Sequence, residues 1–142
     1  MIRLLCVPAV FAAGAAQAQD ASADCPALTS EAQQTLTWVG NRFPNGMLFC
    51  RAIRIDDASD AFAVTIGSSS PFKPRRPDRA EEGTFNGNEV QWYRGEDAAN
   101  PSILIRETLL ELPDGRVAHI FIRTDSKDRL AQYQQQALLA RF

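Results

Sequence analysis

Between Pro44 and Thr124 the chain is cut into short pieces by turn signals, which leaves no room there for a long helix. Pro44-Asn45-Gly46, Asp56-Asp57-Ala58-Ser59-Asp60, Asn86-Gly87 and Pro113-Asp114-Gly115 each carry the residues that turns require. The pieces between them read as strands. Met47 to Ile55 is one. Phe62, Val64 and Ile66 alternate with Ala63 and Thr65, the pattern of a strand with one apolar face. Asn86-Gly87 is a two-residue hairpin dipeptide joining Gly83-Thr84-Phe85 to a strand with Val90 and Trp92 on one face. Ser102 to Leu112 is the longest strand candidate, and Pro113-Asp114-Gly115 returns it into Arg116 to Thr124.

The period changes after Thr124. Asp125 or Ser126 caps a helix expected from about Lys127 to Ala140, with Leu130, Tyr133, Ala137 and Leu138 as its apolar stripe. Near the other end, Ser30 with Gln33 matches a capping box, and Ala32, Leu36 and Val39 share a helical face. The same stretch is rich in β-formers from Thr35 to Val39, so its second half is ambiguous. Together these signals predict an α+β domain. It is an antiparallel meander of about five to seven strands with a short N-terminal helix and a C-terminal helix packed on one face.

Residues 1–18 have the order of an export signal: Arg3, the apolar run Leu4 to Ala13, then Ala16-Gln17-Ala18 before Gln19. The run is too short to anchor in a bilayer. Cleavage there leaves residues 19–142 as one domain, about 124 residues long, and the style of the signal points to a Gram-negative periplasm. The net charge of −2 becomes about −3 on losing Arg3, which argues against nucleic acid as a partner. Of the three cysteines, Cys6 falls in the signal. Cys25 and Cys50 remain as an even pair in an oxidising compartment and are expected to form a disulfide. Their spacing is not the C-x-x-C of thiol oxidoreductases.

The Pro-Asp-Gly turn fixes a register. A type I turn closed by a left-handed glycine pairs Leu112 with Arg116. Leu110 then faces Ala118, Thr108 faces Ile120, Leu109 faces His119 and Glu107 faces Phe121. His119 and Arg123 become diagonal neighbours of Glu107. His119 is the only histidine, and in a catalytic reading Glu107 orients it as a general base. The simpler reading is a half-buried strand histidine beside an ion pair. No nucleophile has a recognisable context, no cofactor motif is present, and one histidine under-coordinates zinc. The Asp56–Asp60 stretch lacks the calcium-loop spacing.

The segment Ser68 to Glu82 reads as a long loop. Pro71, Pro74 and Pro77 stiffen it, and Lys73, Arg75, Arg76 and Arg79 crowd its centre. A stiff loop loses less entropy on binding, so these cations are the best candidates to meet an acidic partner surface or anionic envelope lipid. Tyr93 points away from the Trp92 face and lines a groove if the helix leaves it uncovered. The chain is therefore expected to be a periplasmic, non-catalytic binding or interaction module for another exported or envelope protein. The alternatives are a carrier of a small hydrophobe between sheet and C-terminal helix, or a small hydrolase or isomerase built on His119 and Glu107.

Overall fold

The turn signals become hairpins of a single antiparallel sheet. The structure is a computed structural model that describes residues 19–142; the export signal expected over residues 1–18 lies outside the described residues. The strands are β1 (Gln19–Asp20), β2 (Leu36–Arg42), β3 (Leu48–Arg54), β4 (Asp60–Gly67), β5 (Arg79–Phe85), β6 (Asn88–Gly95), β7 (Leu104–Glu111) and β8 (Val117–Thr124), followed by the helix α1 (Lys127–Leu139). Eight strands exceed the expected five to seven. The additional ones are β2 and the two-residue β1.

The expected N-terminal α-helix does not form. Its residues give only a 3-10 turn at Ala32–Gln34, where Thr29 Oγ1 accepts from the Ala32 amide at 3.1 Å. From Leu36 the β-formers win, because the segment pairs along its whole length with β3, from Leu36 opposite Arg54 to Arg42 opposite Leu48. Tertiary pairing overrides a marginal local helix preference.

Nor is the sheet one continuous meander. Its order is β1-β2-β3-β4-β8-β7-β6-β5. Two four-stranded meanders meet where β4 pairs with β8, Val64 opposite Ile120. The chain must therefore travel from β4, in the middle of the sheet, to β5 at its far edge. Residues 68–78 make that journey, and β5 begins at Arg79, so the loop is shorter than the expected Ser68–Glu82.

The β7–β8 hairpin has the register that its turn dictates. Leu110 faces Ala118, Thr108 faces Ile120 and Leu109 faces His119. Gly115 holds φ at 85°, a conformation available to glycine at no steric cost, and the Leu112 amide donates to Arg116 O at 2.9 Å.

Alternation along the strands sorts the side chains into two faces. Phe62, Val64, Ile120, Ile122, Leu48, Cys50 and Trp92 point to one face and are almost fully buried. Burying side chains of this size stabilises the fold by roughly 1.5–3 kcal/mol each. Leu130, Tyr133 and Ala137 of α1 close this face over the second meander. Over the first meander the cover is the segment from Ala21 to Gln34, pinned by the Cys25–Cys50 disulfide and by Trp38 Nε1 donating to Pro26 O at 2.7 Å. Paired backbone bonds between Ala27 and Arg141 join this segment to the chain just beyond α1. The other face of the sheet carries Phe49, Thr65, Leu109, Val117, His119, Phe121 and Tyr93, all half-buried. The 68–78 segment crosses this face, with Phe72 on His119 and Tyr93.

Candidate functional site

The residues that carry chemistry gather where the 68–78 strap crosses this second face. Glu107 sits on β7 with Phe121 directly opposite on β8 and Tyr93 directly opposite on β6. His119 is its diagonal neighbour, and His119 Nε2 meets Glu107 Oε1 at 3.0 Å. Both side chains are mostly shielded from water. Phe72 of the strap lies flat on the imidazole, with ring centroids 5.0 Å apart and planes 12° apart, and packs at an angle on Tyr93 at 6.1 Å. The histidine thus has one nitrogen on a carboxylate and one ring face under a phenylalanine.

Arg123 does not join this pair. It reaches outward instead, where its Nη2 donates to Asp97 Oδ2 at 2.7 Å. The guanidinium holds the Asp97 carboxyl below the usual carboxylate range. The three-residue cluster expected around Glu107 resolves into two separate pairs. Asp97, which sits in the connection between β6 and β7, gave no sequence signal as the competing partner. No hydroxyl or thiol among the described residues hydrogen-bonds His119, and no group of three metal-ligating side chains occurs among them.

The strap cations divide. Lys73, Arg75 and Arg76 are exposed on the strap, while Arg79 is the first residue of β5 and sits opposite Tyr93. Asp78 lies 3.9 Å from Arg75, too far for a strong bond. The cations therefore stand on a segment that Phe72 and three prolines hold in place. Phe72 was not singled out from the sequence, since an aromatic among prolines carries no periodic signal.

Family models, curated proteins and solved structures were compared with this chain, and none matches. What the site can do must be read from its own geometry.

The space between sheet and helix is filled. Trp92, Phe62, Ile120, Ile122 and Val64 are each less than 2% exposed. Open grooves remain only at its margins, and one of them, about 290 Å³, lies between β5 and the C-terminal half of α1, lined by Gly83, Thr84, Trp92, Ala131, Leu138 and Leu139. Its rim is held by Glu81. That carboxylate accepts three bonds from Arg106, the closest at 2.8 Å, and one from Gln134 Nε2 at 3.1 Å. The Arg106 guanidinium brings the Glu81 carboxyl down to about 2.

Proposed function

We propose that this chain is an exported, non-catalytic interaction module that meets an acidic surface of another exported or envelope protein through the 68–78 strap. The observation that carries this reading is the anchored strap. Phe72 is packed between His119 and Tyr93, and around it Lys73, Arg75, Arg76 and Arg79 stand in solvent, with Arg75–Asp78 at 3.9 Å the one ion pair they make among the described residues. A cationic segment already ordered before contact keeps more of its interaction energy as affinity than a mobile one does. Complementary charge also speeds encounter.

The same contacts support a structural role for His119. A general base oriented by a carboxylate needs its second nitrogen against a reacting group, whereas no hydroxyl or thiol among the described residues hydrogen-bonds His119 and Phe72 covers one face of its ring. A disulfide between Cys25 and Cys50, and the absence among the described residues of any helix long and apolar enough to cross a membrane, fit an exported protein.

The test is immunoprecipitation of the untagged chain from crosslinked host cells, in wild type and in two charge-reversed strains. The expected result is one stoichiometric envelope partner, lost in R75E/R76E and retained in R116E on the β7–β8 turn, beside the opposite end of the strap. Both variants are expected to melt within about 2 °C of wild type, since surface changes of this kind cost little. A partner held equally by all three strains, or no partner at all, would overturn the proposal.

A further inference from the structure

The margin groove and the free edge of β5 belong together. The two-residue Asn86-Gly87 loop makes Phe85 and Asn88 the closing hydrogen-bonded pair of the hairpin. By alternation Gly83 also bonds to β6, so the amide and carbonyl of Thr84 and Glu82 point outward. β5 is the last strand of the sheet, and those groups have no strand beyond them. An unpaired edge is a template for another strand.

Three further features lie beside that edge. Trp92 is 1% exposed, and its indole N–H has no acceptor among the described residues, unlike that of Trp38. It is not among the fully enclosed unpartnered atoms, so its opening is to the groove it lines. Buried tryptophans ordinarily find a partner for this group. Gly83 keeps the way clear: a Cβ there would come within 3.5 Å of Trp92 Nε1 and 2.6 Å of Leu138 Cδ1. Leu139, one of only three large apolar side chains left exposed among the described residues, stands on the helix side at 53% exposure. At the N-terminal end of the same edge stand Arg79 and, just before it, Arg75 and Arg76.

We propose that β5 is a strand-addition site for an extended peptide segment of the partner. The segment runs antiparallel to β5, bonds to the backbone of Glu82 and Thr84, and places one apolar side chain in the groove of Trp92, Leu138 and Leu139. An antiparallel segment ends beside Arg79 and Arg76, so acidic residues belong at its C-terminal end. Main-chain bonds supply affinity in this mode, and the pocket supplies choice. The proposal rests on the interaction-module reading and names the partner's chemistry.

The test is selection of a displayed library of random octapeptides on the full chain recovered from its host, with counter-selection on Thr84→Pro. Proline removes the outward amide while leaving the β6 ladder intact, and edge strands tolerate it. The expected result is enrichment of peptides with alternating apolar residues and C-terminal Asp or Glu. As synthetic peptides they should lose at least tenfold in affinity on both Thr84→Pro and Leu139→Glu, with melting temperatures near wild type. No enrichment over Thr84→Pro overturns the proposal. So does binding that Leu139→Glu abolishes and Thr84→Pro spares, which would mean apolar capture without strand addition. Binding of dodecanoate in the groove, lost in Leu139→Glu, with no peptide bound would overturn it in favour of a small hydrophobe. Running Thr84→Pro through the immunoprecipitation separates the two ideas. A partner lost in R75E/R76E but kept in Thr84→Pro leaves the module standing and removes only the edge.

Discussion

At the scale of single residues, the tightest constraint is at Gly40. An added Cβ there would lie 2.6 Å from Cys25 Sγ and 2.9 Å from the Ala21 carbonyl oxygen. Neither neighbour is the loose end of a side chain, since the sulfur is in a disulfide and the oxygen accepts from the Asp24 amide at 2.9 Å. Gly40→Ala is therefore expected to destabilise the protein by about 1–3 kcal/mol, the usual cost of overpacking, measured by urea unfolding. The paired variant Cys25→Ala/Cys50→Ala should lose roughly 3 kcal/mol from the closed loop alone. Gly40→Ala should cost less in that background, because the closest of the three clashes, the third being Ser22 Cα at 2.9 Å, is relieved. Additive losses would show that the sulfur contact is not what excludes a side chain.

Glu81 gives the clearest pH dependence. Its folded value of about 2 lies below the ordinary 4.5 because Arg106 donates to it. A depressed carboxyl contributes stability that is present above the unfolded value and is lost as pH falls toward the folded one. Wild type should therefore lose more stability between pH 4.5 and 2 than Glu81→Gln does. The carboxylate is partly exposed, and solvent screening keeps the difference modest. Parallel acid-unfolding curves for the two proteins would remove Glu81 from this role.

At the scale of elements, the strap is the informative case. Its prolines restrict the backbone, yet they do not say which surface it crosses; Phe72 on His119 does. Phe72→Ala should free the strap without loosening the helix-covered core, which it does not touch. Limited trypsinolysis reads this directly. Lys73 and Arg76 each precede proline, so the susceptible bonds are those after Arg75 and Arg79. Cleavage there should accelerate several-fold in Phe72→Ala, with a melting temperature within a few degrees of wild type. An unchanged cleavage rate would mean that the prolines alone hold the strap.

What the sequence revealed about each element followed the range of the signal. The β7–β8 register was legible because Pro113-Asp114-Gly115 fixes it locally, and with it the Glu107–His119 contact. The C-terminal helix was legible from its cap and stripe, and Ser126 does accept from the Arg129 amide. The pairing of β4 with β8 was not, since nothing near Val64 names a strand more than fifty residues away. Neither was β2, whose helical and strand preferences nearly balance until β3 decides between them. Arg123 shows the same limit: a diagonal neighbour in the ladder was visible, but Asp97 arrives from a loop.

At the scale of the whole molecule, the two meanders are not equally secured. β4 and β8 share five paired positions and β7 and β8 share eight, whereas β6 and β7 share only three, from Tyr93 opposite Glu107 to Gly95 opposite Ile105. Beyond those three the ladder parts, and the Thr108 hydroxyl takes over by donating to the Gln91 carbonyl at 2.8 Å. The β5–β6 hairpin turns there toward α1, with Gly83 against Leu138 and Phe85 edge-on to Phe142. This gives the fold a seam. Native-state hydrogen exchange should show β5 and β6 opening together at lower free energy than β3, β4, β7 and β8, which should exchange near the global limit. Thr108 is buried at 1% exposure, so Thr108→Val keeps the shape but leaves the Gln91 carbonyl without this donor, at a cost of roughly 1–3 kcal/mol. That loss should fall on the β5–β6 amides first and leave β4 and β8 protected as before. Uniform exchange across all strands would mean that the hairpin is locked to the sheet. A seam that opens alone would place the free edge and its groove on the most easily moved part of the molecule, where a strand-adding partner would meet the least resistance.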